Sequence, residues 1–224
     1  MCAAAETPKQ DVINANIYFP TIIYHNEKLD FLEAVSKVAE DALTEVRKQK
    51  LNEIYPVHMT GNLFDKSEIL PFQYYVGGTA MNLLNEQGYN LEGFEVYFSE
   101  MFCQEHYKHS AMEQHVHGGG SQMVGFYFLE TPENCSKVVF HDPRAAKTMI
   151  SWNEKDIGQA TFASNAINFT PKPGLLVFTN AWLPHSFSRH EADAPIKFIH
   201  FNIGLRPIQN LSINQCIAPA AEIV

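Results

Sequence analysis

The sequence predicts a mainly β fold with helices at its N-terminal end. Three observations carry this reading. After Phe94 the chain breaks into short β-type runs separated by Pro, Gly and Asn: FEVYFSEMFC, QMVGFYFLE, KVVFH, NAINFT, GLLVFTN and IKFIHFNIG. Before Phe94 two stretches show helical rather than alternating spacing. A hydrophobic share of 46 % against a charged share of 18 % gives the chain ample material for a core. Many short strands joined by such turns read as a sandwich or barrel.

The elements follow in order. ANIYFPTIIYHN is rich in β-branched and aromatic residues and reads as an opening edge strand broken at Pro20. LDFLEAVSKVAEDALTEVRKQK places Leu32, Val35, Val38, Ala39, Ala42 and Val46 on one stripe, so a helix is expected over 30–50, its stripe buried on the outer face of the β core. Asp30 followed by Glu33 has the form of a capping box, and Lys48 and Lys50 suit the negative end of the helix dipole. TAMNLLNEQG predicts a shorter helix, capped by Thr79 and stopped by Gly88. The whole chain is expected to form one domain: 1–93 an N-terminal strand with helical support, 94–206 the β core, and 207–224 a tail.

A formal net charge of −9 argues against general nucleic-acid binding, which needs a basic surface. No apolar stretch approaches the roughly 20 residues of a membrane helix. The N-terminus lacks the basic and apolar regions of a signal peptide. Cys2, Cys103, Cys135 and Cys216 are scattered with no C-x-x-C, which reads as reduced thiols in a cytoplasmic protein. Nothing here sets an oligomeric state.

The chemistry concentrates in EQHVHGGGSQMVGFYFLETP. In a strand, residues two apart share a face, so His115 and His117 can aim at one point. Imidazole suits iron, zinc, copper and nickel. Taken alone, the pair could equally be two alternating surface histidines. A second segment, PKPGLLVFTNAWLPHSF, supplies His185 after a buried strand and a loop, where a sandwich could return a third ligand. His106, His109, His190 and His200 read as solvent-facing or structural. The glycines at 118–120 fit either a mobile loop beside the site or a tight turn.

In HVHGGGSQMVGFYFLETP, VVFHDPR, PKPGLLVFTNAWLPHSF and IKFIHFNI, in that order, the chain resembles the 2-oxoglutarate- and Fe(II)-dependent oxygenases. Within them it is most similar to the prolyl-4-hydroxylase-like branch and a group common in phages and marine bacteria. The resemblance covers roughly Phe94 to Arg206. It implies a double-stranded β-helix, or jelly roll, with the metal at one open end. It implies Fe(II), 2-oxoglutarate and O2, and hydroxylation of a peptide side chain or small molecule with release of succinate and CO2. The wider superfamily carries an acid where this chain has His117. His115, His117 and His185 would then form an all-imidazole triad, with Asp142 of HDPR as the rival carboxylate, more simply a turn residue before Pro143. The far carboxylate of 2-oxoglutarate calls for a cation, which the resemblance assigns to Lys197, with Arg189 as competitor. A tyrosine helper falls on Tyr127, or its position on Phe128. Three histidines also suit zinc, so a non-redox zinc hydrolase or a binding module on the same scaffold stands as the alternative.

Overall fold

A computed structural model describes residues 13–208. Cys2, Cys216 and nearly all of the expected tail lie outside the described residues. The architecture has three layers: a four-stranded sheet, a six-stranded sheet, and two helices. The large sheet has the order β1 (Ile23–Glu27), β8 (Leu175–Asn180), β5 (Ser121–Glu130), β10 (Ile196–Pro207), β3 (Phe94–His106), β2 (Val57–Met59). The small sheet has the order β4 (Met112–His115), β9 (His185–Phe187), β6 (Val138–His141), β7 (Ala166–Phe169). All pairs are antiparallel, and the two sheets form the jelly roll. The six β-type runs read after Phe94 all appear as strands. The expected break at residue 94 does not divide the sheet, because its two edge strands, β1 and β2, come from before it.

The large sheet is covered on both faces, and the alternation of its strands sorts side chains between two cores. Leu176, Phe178, Met123, Tyr127, Met101, Cys103, Ile199, Phe201 and Ile203 face the helices. Val124, Phe126, Phe128, Val177, Ile196 and Phe198 face the small sheet and meet Val138, Phe140 and Phe187 there. Gly125 is required by this packing: a Cβ at that position would fall 2.2 Å from the Phe201 ring.

Helix α1 (Leu32–Val46) lies inside the expected span and buries Val35, Val38, Ala39 and Leu43 against the sheet. Leu32, Ala42 and Val46 are half-buried at the margin of that stripe. The expected capping box is not formed. A 3-10 turn (Leu29–Phe31) precedes the helix, no side chain caps it, and Asp30 pairs with Lys28. Helix α2 (Leu70–Glu86) begins nine residues before the expected cap. Pro71 and the Gly77–Gly78 pair read as breakers, yet proline is well accommodated in a first helical turn. Gly77 instead lets α2 approach Val96 of β3, whose methyl would touch a Cβ there at 3.4 Å. Thr79 is therefore a buried interior residue. Gly88, with φ +88°, does follow the helix end as expected.

Candidate metal centre

The small sheet brings the three histidines together. His115 ends β4 and His185 begins β9, and the two are cross-strand partners. His117 lies just past β4, where its N–H donates to the Ala181 carbonyl (2.9 Å) and pins it against the loop leading to β9. The glycines that follow make a tight turn. Gly119 and Gly120 take φ of +64° and +87°, and the Ser121 N–H closes back on the Gly118 carbonyl.

The ligand nitrogens of His115, His117 and His185 all lie within 4.8 Å of one another. Nε2 of His117 and Nε2 of His185 stand 3.3 Å apart. Two nitrogens held at about 2.1 Å and at right angles on one ion would stand about 3.0 Å apart. Two of the other ring nitrogens are committed: Nδ1 of His115 faces the Glu113 carbonyl (2.8 Å) and Nδ1 of His185 the Leu183 carbonyl (3.0 Å). Such bonds fix the tautomer and leave Nε2 as the lone-pair donor. Burial pushes the pKa of His117 down to about 4 and that of His185 to about 3. These imidazoles are thus neutral near pH 7, the form a metal requires. The donor set fits a divalent first-row ion.

Asp142 is not part of this cluster. Its carboxylate accepts from Nη2 (2.7 Å) and Nε (2.9 Å) of Arg144 and pairs with Lys147 Nζ at 3.2 Å. The Arg144 contacts, the first cause, hold its pKa well below the usual carboxylate range. It serves the turn before the short helix α3 (Ala145–Ile150).

Strand parity places the candidate cosubstrate residues Lys197 and Tyr127 on the face away from the triad. Lys197 faces the helices. Its ammonium sits 3.0 Å from Glu130, 3.1 Å from Glu40 and 3.8 Å from Glu105. Glu105 is buried and is also held by Arg47 at 2.6 Å. Arg189 is exposed beyond the end of β9 that lies away from His185. Tyr127 also faces the helices, where its hydroxyl donates to the Lys28 carbonyl (2.5 Å). Phe126 and Phe128 take the inward positions on β5.

The residue that sequence reasoning set aside is His200. It is three residues from Lys197 on β10 and so on the opposite face. Its cross-strand partners are Phe126 and Phe102, and its ring lies 4.9 Å from that of His117. It is buried, and its Nδ1 has no hydrogen-bond partner. Burial holds its pKa well below the ordinary histidine value. The alternation of IKFIHFN already separates Lys197 from His200.

A cavity of about 240 Å³ opens among Phe140, Leu183, Asp142, Arg144, Phe162 and Tyr18, with none of the three histidines in its lining. Phe140 and Leu183 also touch His185, through the ring and the Nδ1 bond. The connection from Asp142 to Asn165 carries the exposed apolar side chains Met149, Ile150, Trp152, Ile157 and Phe162, of which Phe162 lines this cavity.

Residues 101–202 match the model of a family described as putative 2OG-Fe(II) oxygenase, a span that contains all three histidines. The chain carries the core of a 2OG-Fe(II) oxygenase. Oxygenases of this family need Fe(II), 2-oxoglutarate and O2. No curated protein matches the sequence. Solved structures share the fold of this oxygenase at low identity. The carbocyclase SnoK from nogalamycin biosynthesis is 11% identical with a TM-score of 0.58, over 86% of this chain and 84% of its own. A prolyl hydroxylase of Trichoplax adhaerens, in complex with a peptide of hypoxia inducible factor, is 11% identical with a TM-score of 0.54, over 81% and 83%. A Pseudomonas putida prolyl-4-hydroxylase is 11% identical with a TM-score of 0.51, over 81% and 92%. Among the described residues no helix is long and apolar enough to cross a membrane.

Proposed function

We propose that His115, His117 and His185 hold Fe(II), and that the oxygenase hydroxylates a peptide side chain or a small molecule, releasing succinate and CO2. The observation that carries this is the convergence of three imidazoles, two of them with Nε2 atoms 3.3 Å apart. Fe(II) and 2-oxoglutarate together supply the oxygen activation. The chain supplies the rest. The Glu113 and Leu183 carbonyls orient two of the ligands. Phe126 and Phe140 pack against the buried His185 ring. The cavity bounded by Phe140, Leu183 and Phe162 is where the substrate enters, so the apolar rim at 142–165 sets specificity. An all-imidazole site has no charge of its own, so a bound divalent ion keeps its full attraction for a dianionic chelator. Free Cys103 and Cys135 suit a reducing compartment, and we place the enzyme in the cytoplasm.

The test is succinate formation from 2-oxoglutarate in air by the Fe(II)-loaded protein, with anaerobic protein as the blank. The expected result is O2-dependent succinate that disappears in His117→Ala. A protein that retains zinc, gives no succinate and binds no 2-oxoglutarate would move the non-redox zinc reading to first place.

A further inference from the structure

The cosubstrate is a dicarboxylate, and its far carboxylate must be met by the wall of the site. No lysine or arginine is among the buried residues of the described chain. Lys197 and Arg47 are engaged by the carboxylates of the helix face, and Arg144 and Lys147 by Asp142. The inward face of β10 carries Ile196, Phe198, His200 and Asn202. Only the last two are polar, and both have unpartnered atoms. His200 is 4% exposed and its Nδ1 is unpaired. Asn202 donates from Nδ2 to Glu100 (2.7 Å), while its Oδ1 is unpaired. Buried polar atoms without partners are rare in folded proteins and mark places where a ligand or water completes the bonding.

We propose that His200 receives the far carboxylate of 2-oxoglutarate through an imidazole N–H, in the place where a lysine or arginine was expected. His200 packs directly on the ligand His117, and its nitrogens are not part of the three-histidine cluster. The far carboxylate lies two methylenes beyond the chelating keto group, so its partner is sought close to the ligands, where His200 stands beside His117. An N–H to a carboxylate is a charge-assisted hydrogen bond, but it lacks the paired donors and formal charge of a guanidinium. The site should therefore grip a dicarboxylate less tightly than one built on arginine. This inference rests on the oxygenase reading above.

The test is anaerobic calorimetry on the Fe(II)-loaded protein with two titrants. One is 2-oxoglutarate; the other is 2-oxobutyrate, which has the same chelating end and no far carboxylate. In His200→Leu the affinity for 2-oxoglutarate should fall about tenfold or more, the size of one hydrogen bond to a charged group. The affinity for 2-oxobutyrate and for metal should stay as in wild type, and His200→Gln, which keeps an N–H donor, should restore part of the loss. An unchanged 2-oxoglutarate affinity in His200→Leu overturns the proposal, and so does an equal fall for both titrants, which would show the ring acting through His117. Wild type that binds metal but neither titrant overturns the oxygenase reading itself, a result separable from the other two.

Discussion

The two faces of β10 handle polarity in opposite ways. On the helix face, Lys197 is ringed by Glu130 and Glu105, its cross-strand neighbours, and by Glu40 of α1. Arg47 closes the group by bonding Glu40 and Glu105. Burial opposes the charge on Glu105, yet the Arg47 and Tyr107 bonds outweigh it and its pKa is lowered. On the inward face, His200 and Asn202 keep unpaired atoms beside three convergent imidazoles. A second unpaired set, His106 Nδ1, Ser110 Oγ and Ser136 Oγ, gathers near His190, past the far end of β9. The difference teaches that charge alone does not mark the site. An ion-pair network ties a helix to a sheet, while the inward face beside the three histidines carries polar groups whose bonding is incomplete.

The contrast can be broken most sharply at the triad. His185→Ala removes a proposed ligand but no helix-face contact. Loss of a mere supporting group around a metal lowers affinity about 10–100-fold, so loss of a ligand should exceed about 100-fold. Metal titration followed by calorimetry reads this, and metal binding near wild type would refute the assignment. Phe201 tests the opposite face. It packs on Phe178 and Phe98 with no exposure. Phe201→Ala should lower unfolding free energy by about 3–5 kcal/mol in a urea titration, with metal affinity in the surviving folded protein unchanged.

Acid should weaken the inward side first. Burial lowers the pKa of His106 to about 3, of His185 to about 3 and of His117 to about 4. Each folded value lies below that of the unfolded chain, about 6.5. Unfolding therefore takes up protons in this range. The stability is complete above about pH 6.5 and is lost as pH falls toward 4, by at most about 1.4 kcal/mol per pH unit for each group. Tm of the metal-free protein measured from pH 7.5 to 4.5 should show this limb, and a flat profile would break the reading. The helix-face carboxylates act lower: Glu40, held by Arg47 at about 2, loses its contribution only below about 4.5. The smallest effect is expected for Lys197→Ala. Arg47 still meets Glu105, so the loss should be about 1–3 kcal/mol, with 2-oxoglutarate affinity unchanged. A collapse of that affinity would reverse the two faces.

Much of this was legible in the sequence. The six β runs after Phe94 are marked by β-branched and aromatic residues between Pro, Gly and Asn, because strands buried on one or both faces need apolar side chains. The histidine trio was legible because strand parity and segment order are both local properties of the chain. The start of α2 was not: Pro71 and Gly77–Gly78 look like punctuation until the close approach to Val96 shows why a glycine sits there. The face that Lys197 takes was legible too, from the same parity used for His115 and His117: it stands one position from the inward Ile196 and Phe198, as Tyr127 stands one position from the inward Phe126 and Phe128. The Glu40–Arg47 part of the cage depends on where α1 docks, which no local pattern states.

The pairing of β10 is interrupted by two irregularities against β5, at Lys197/Phe198 and Ile203/Gly204, and one against β3, at Asn202/Ile203. A slip of one residue would exchange the faces wholesale. The ammonium of Lys197 would enter a layer of phenylalanines, and His200 would be pressed under α1. The ionic cage thus favours the native register, the one in which Lys197 meets Glu40, Glu105 and Glu130; in a slipped strand the same ammonium would be buried without a partner.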